Sequence, residues 1–172
     1  MNLIINRINI NIFKCIYQTY SDNISINLFN NDQLVNKEII NKFQIIINEE
    51  STNNILKYTF RKEGTYKIKI IIFESILYMS YMFFKVNNLI SIDLSNLNFN
   101  NLTNMSYMFS ECSSLKEINI SNFQANNLSD MSYMFNRCYS LEKINLSNLN
   151  FNNLTNISYM FNGCSSLEKI NL

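Results

Sequence analysis

Cys112, Cys138 and Cys164 stand 26 residues apart, and Cys15 lies far from them. Cysteines in such a row could ligate a metal or form a disulfide. Neither reading fits the rest of the chain. No C-x-x-C occurs and there is no histidine, so His-ligated metals and His-based triads are excluded. One period earlier the same slot holds Val86. A slot that accepts valine is apolar, and free cysteine behaves as a small buried hydrophobe. The three therefore read as reduced core thiols. Stacked neighbours roughly 5 Å apart leave one disulfide geometrically open, but three in a row cannot all pair. Gly64 and Gly163 are the only glycines, which removes the glycine-rich phosphate cradles. No nucleophile, base and metal ligands cluster, so the expectation is no catalytic, cofactor-binding or metal-binding residue. An enzyme is the last of the function classes retained.

Two further sets of side chains recur at the same spacing. Tyr81, Tyr107, Tyr133 and Tyr159 occupy one position of each unit. They read either as an exposed aromatic column or as rings leaning sideways on their neighbours. Charged and amide residues form three more columns. These are Ile90, Lys116, Glu142 and Glu168, then Ser91, Glu117, Lys143 and Lys169, then Asp93, Asn119, Asn145 and Asn171. Lys116 is expected to face Glu142, and Glu117 to face Lys143, as cross-strand pairs worth about 0.2–1 kcal/mol each. The candidate partner-binding face is Lys116, Glu117, Asn119, Glu142, Lys143, Asn145, Glu168 and Lys169. The competing reading is an ordinary solvated ladder.

These columns need a repeating scaffold. MSYMF begins at Met79, Met105 and Met131, and ISYMF at Ile157, a fixed period of 26. Such a period marks stacked repeats, none of which buries its apolar side alone. In SLKEINI, Leu115, Ile118 and Ile120 follow an LxxLxL strand pattern and point inward. Leu102, Met105, Phe109 and Cys112 are spaced i, i+3, i+7, i+10, which predicts one face of a short helix started by Thr103 or Asn104. The fold class expected is α/β. It is a leucine-rich-repeat solenoid of period 26, with a parallel sheet and short helices, over residues 77–172. That is about 3.6 units, counted from Met79, with no C-terminal cap. With that last strand uncapped, the chain reads either as a fragment of a longer repeat protein, the favoured reading, or as one that associates end to end through this edge.

Residues 1–76 read as a small β-rich capping unit. Alternation of Ile8, Ile10 and Ile12 with Asn9 and Asn11 marks a strand. Strands at 8–18 and 24–29 around Ser21–Asn23 predict a hairpin. A short helix is expected over 32–41. KFQIIIN, ILKYTF and YKIKIIIF supply three more strands, joined by turns at 49–54 and 61–64. Whether they form a sandwich or a ubiquitin-like roll stays open.

A formal net charge of +1 gives no electrostatic reason to expect nucleic acid. No apolar run is long enough to span a bilayer, and Asn and Arg interrupt the N-terminal one, so no secretion signal is read. The N-x-S/T sequons at Asn23, Asn101, Asn104, Asn119, Asn127, Asn145, Asn153 and Asn156 read as by-products of an Asn- and Ser-rich composition.

The units MSYMFSECSSLKEINISNF and MSYMFNRCYSLEKINLSNL resemble the BspA-type leucine-rich repeats of bacterial surface proteins, mycoplasma lipoproteins and many protists. The shared pattern is MSxMFxxCxSLxxLxLSNF followed by N-[LV]-T-[ND], from Met79 to Leu172. The resemblance implies a repeat solenoid, a cell-surface location and, in several family members, adhesion or host-protein binding. It carries no catalytic residues. The first unit departs from it, with Val86 and Asn88-Leu89 in place of Cys and Ser-Leu, and no lipobox or anchor is seen. The chain alone reads as cytoplasmic. Two functions follow. One is a non-catalytic protein-binding module of surface or adhesion type, and the other is an intracellular scaffold; the protein partner is unidentified in either.

Overall fold

The computed structural model describes residues 10–30, 42–47, 50–53, 56–73 and 75–171. Strong alternation shapes the first part. In β1 (Asn11–Thr19), Phe13, Cys15 and Tyr17 are buried while Lys14 is exposed, and in β6 (Gly64–Ile72), Ile68, Ile70 and Ile72 are buried while Lys67 and Lys69 are exposed. Two strands of matched period pair along one face. β1 and β6 are antiparallel, with Phe13 opposite Ile70 and Lys14 opposite Lys69. β3 (Phe43–Ile47) pairs on the far side of β6, and β4 (Glu50–Asn53) closes that edge. The other edge of β1 pairs antiparallel with β7 (Leu89–Asp93), which pairs in parallel with β8 (Glu117–Asn119). The six-stranded sheet thus runs β4-β3-β6-β1-β7-β8.

Several expectations for this part change. β1 and β2 (Ile24–Asn27) do not form a hairpin. β1 is claimed on both edges, and β2 pairs instead with β5 (Lys57–Phe60) in a separate two-stranded sheet. The stretch read as a turn at 49–54 contains strand β4. The helix expected over 32–41 lies outside the described residues. Inside the unit, the buried Tyr17 hydroxyl donates to the Leu28 carbonyl at 2.5 Å, tying β1 to the segment after β2.

The α/β leucine-rich-repeat solenoid with short helices is overturned. Among the described residues there is no helix, and the chain is a mixed-sheet fold of one six-stranded and two two-stranded sheets. The third sheet pairs β9 (Lys143–Asn145) in parallel with β10 (Lys169–Asn171).

The MSYMF segment shows why the helix fails. Met82, Phe84 and Val86 donate their N–H groups to Met79, Tyr81 and Phe83, at 3.3, 3.1 and 3.0 Å, which makes three overlapping β-turns. The first and third carry a positive φ at their third residue, 60° at Tyr81 and 61° at Lys85, the mark of a type II turn. Tyr107, Glu111, Tyr133, Arg137, Tyr159 and Gly163 repeat this. A helix cannot pass through such residues. The intervening N–H groups leave the segment altogether. Met79, Tyr81, Phe83 and Lys85 donate to Asn104, Ser106, Met108 and Ser110 of the next unit, at 2.9–3.1 Å. The same bonds run from Met105, Tyr107, Phe109 and Glu111, and again from Met131, Tyr133, Phe135 and Arg137. The apolar spacing that suggested a helix is nevertheless satisfied, because Leu102, Met105, Met108, Phe109 and Cys112 are all buried. Spacing reports which residues face inward, and here turns put the same residues inward.

Asparagine supplies the remaining corners. The side-chain oxygens of Asn104, Asp130 and Asn156 accept the N–H groups of Ser106, Ser132 and Ser158, at 2.7, 2.8 and 3.1 Å. Asp93, Asn119 and Asn145 do the same for Ser95, Ser121 and Ser147. Asn-x-Ser is here an Asx turn, a use of the residue that competes with helix and strand. Several sequons are therefore corner-forming elements rather than accidents of composition.

The core runs through all units. Phe83, Phe109, Phe135 and Phe161 stack with ring centroids 5.4–5.6 Å apart, and Leu89, Leu115 and Leu141 are fully buried. Replacing Leu141 by Ala leaves a cavity between stacked units, and buried Leu→Ala costs about 2–5 kcal/mol. The expected result is a much lower urea midpoint; a midpoint equal to the parent's would show that Leu141 does not pack between units.

Candidate functional site

All eight candidate face residues, Lys116, Glu117, Asn119, Glu142, Lys143, Asn145, Glu168 and Lys169, are exposed. The fold splits them into two groups. Glu117 and Asn119 lie on β8, in the six-stranded sheet, whereas Lys143, Asn145 and Lys169 lie on the β9–β10 pair. Because β8 and β9 belong to different sheets, the expected charge pairing does not form. Among the described residues no ion pair joins Lys116 to Glu142 or Glu117 to Lys143. An ion pair between units instead joins Arg137 to Glu111, at 3.7 Å. The register within β9–β10 sets Lys143 beside Lys169, like charge on like.

Glu117 and Asn119 have neighbours that the columns did not reveal. They border an open groove of about 660 Å³ whose other walls include Lys14, Ile16, Lys67, Lys69 and Asp93. Strand register arranges these in two rows across the sheet. One row is Ile46, Lys69, Lys14, Asp93, Asn119, and the next is Lys67, Ile16, Ser91, Glu117. The outward alternation of Lys14, Lys67 and Lys69 was visible in the sequence. What was missing is that β1 lies between β6 and β7, which brings lysines of the first part against acids of the repeats.

The tyrosines resolve into both of their readings at once. Tyr81, Tyr107, Tyr133 and Tyr159 stack in parallel, with centroids 4.7, 4.6 and 4.9 Å apart, yet the column stays at the surface and Tyr159 is 61% exposed. Partial burial raises the pKa of the Tyr107 hydroxyl, and Tyr81, Tyr133 and Asp130 act in the same direction. Each ring sits on a backbone at φ 55–60°, where a bulky residue is an outlier.

The thiols point inward. Cys112, Cys138 and Cys164 donate S–H to the carbonyls of Phe83, Phe109 and Phe135, at 2.9, 3.0 and 2.9 Å. All four cysteines are free. Burial pushes the Cys112 and Cys138 thiols well above their ordinary range, and the half-buried Cys164 up to about 11. Among the described residues no group of three or more His, Cys, Asp or Glu side chains could hold a metal ion. No described helix is long and apolar enough to cross a membrane.

Two outcomes follow from these positions. Tyr107→Ala removes two stacking contacts, each about 0.5–1.5 kcal/mol, and keeps the left-handed strain, which Tyr107→Gly relieves by about 1 kcal/mol. Urea denaturation is expected to rank parent, Gly, then Ala; a parent-like Ala variant would deny the column any stabilising role. For the thiols, the folded pKa is raised above the unfolded one. Their contribution is therefore complete below about pH 9 and lost as pH climbs toward the folded values, through about 11 for Cys164. Stability is expected to fall above pH 9, and to fall less in a Cys112→Val/Cys138→Val variant. Equal slopes would show that the thiols ionise freely in the fold.

A family of sequences described as Mycoplasma protein of unknown function, DUF285, matches residues 54–171. No curated protein and no solved structure matches the chain. The match covers more than half of the sequence and takes in every repeat unit, so the chain belongs to the DUF285 family of mycoplasma proteins.

Proposed function

We propose that the chain is a non-catalytic protein-binding module of surface or adhesion type, acting through the outward strand face of its repeats. The observation that carries this reading is the arrangement of charge on that face. Lys143 on β9 lies beside Lys169 on β10, and neither has an ion-pair partner among the described residues. Like charges placed opposite each other on a sheet are mildly destabilising. A chain under selection for stability alone has no use for such a face, while a partner of opposite charge relieves it and gains specificity. The unit pattern shared with BspA-type repeats supports the same reading.

The test is affinity capture with cross-linking and mass spectrometry, comparing the parent chain with Lys143→Glu/Lys169→Glu. The expected result is a protein cross-linked to the strand face by the parent and retained at least tenfold less by the variant, with unchanged far-UV circular dichroism. Capture indifferent to the substitutions, or no cross-link on this face, would defeat the reading.

A further inference from the structure

The groove where the two parts of the sheet meet narrows the choice of partner. Its first row changes sign between neighbouring strands, with Lys69 and Lys14 on one side and Asp93 on the other. The second row repeats the polarity, with Lys67 at one end and Glu117 at the other. Among the described residues none of these five side chains forms an ion pair. The half-buried Ile16 lies between Lys67 and Ser91 in the second row, and the half-buried Ile46 flanks Lys69 at the outer end of the first.

We infer that this groove docks an extended, dipolar peptide segment of a partner protein; the inference rests on the protein-binding reading above and names the chemistry of the partner. Acidic side chains of the segment lie over Lys14, Lys67 and Lys69, and a basic side chain lies over Asp93, with Glu117 on the next strand extending the acidic side. Spacing supports an acidic-x-basic triplet. Strands stand about 4.8 Å apart, so the seam between β6 and β1 lies about 7 Å from β7. Side chains at i and i+2 of an extended strand share one face about 6.6 Å apart, which matches. A polyanion such as nucleic acid does not fit, because Asp93 and Glu117 share the floor and repel its phosphates. A polycation meets three lysines.

The experiment is fluorescence anisotropy with the full chain at low salt and three labelled decapeptides of equal length. One carries two Glu-x-Lys triplets among Thr and Val, one replaces every charge by Glu, and one by Lys. The dipolar probe is expected to bind, and the two uniform probes to bind at least tenfold more weakly. Lys67→Glu/Lys69→Glu is expected to weaken the dipolar probe at least tenfold. Glu117→Lys, at an exposed position, is expected to shift preference toward the all-Glu probe. An all-Glu probe that binds the parent as tightly, a dipolar probe that fails to bind, or a Glu117→Lys chain with unchanged preference would overturn the inference. If these fail while the Lys143→Glu/Lys169→Glu chain still loses its captured protein, the groove assignment falls and the binding reading stands. If the peptide tests fail and capture is also indifferent to Lys143→Glu/Lys169→Glu, both readings are refuted.

Discussion

One column of hydrogen bonds governs this fold. In every MSYMF segment, alternate N–H groups all point toward the following unit, and the carbonyls that receive them all point back. An ordinary strand sends donors and acceptors to both neighbours. This column sends donors forward and acceptors backward, so it is directional. That geometry requires left-handed backbone at two positions per unit, which costs about 1–2 kcal/mol at each non-glycine residue. Glycine would remove the strain, yet it appears only at Gly163. Tyrosine occupies the other site because the same conformation throws its ring onto the rings above and below. Stacking contacts of about 0.5–1.5 kcal/mol apiece offset strain of that size. Strain and stacking are thus two sides of one choice, and the tyrosine column at the surface is a structural consequence of the turn.

A directional column has two unlike ends, and the acceptor end must be met by something else. Here the N-terminal part meets it at one carbonyl and covers the unit beside it. The backbone N–H of Asn30 donates to the Met82 carbonyl at 2.9 Å. β1 lies against β7, and the Asn11 side chain bonds both the N–H and the carbonyl of Asn98. Phe13 and Phe29 each pack on Phe83, the first ring of the phenylalanine stack. Polar and apolar groups of the first unit are therefore covered by the same two segments.

The sequence was most legible where a side chain's direction was the question. The fixed period, the buried Leu115, Ile118 and Ile120, the inward thiols and the outward lysines were all readable from spacing. The backbone was not, because the pattern Leu102, Met105, Phe109, Cys112 fits a helix and a run of turns equally well. What separated them was a positive φ at tyrosine, and no propensity rule places tyrosine there. Neighbour relations were also hidden. Ile24–Asn27 follows β1 through a turn that looks like a hairpin, but β1 is wanted by β6 and β7 together, and long-range pairing won. The loss of the Lys116–Glu142 and Glu117–Lys143 pairs has the same origin, since column arithmetic assumes one continuous sheet and the sheet divides between β8 and β9.

That division places the chemistry of the surface. Where pairing is continuous, from β6 through β1 and β7 to β8, charges come from both parts of the chain and change sign across the strands. Where it restarts, at β9 and β10, the Glu142/Glu168 and Lys143/Lys169 columns each repeat one charge. Only the first region is made from two non-homologous elements, and only it can combine lysines from one with acids from the other. Within the repeats the charges vary from unit to unit, Lys116 and Glu117 becoming Glu142 and Lys143. Joining them to β1 and β6 adds lysines from outside the repeat, and at that seam the chain acquires a surface unlike any single unit.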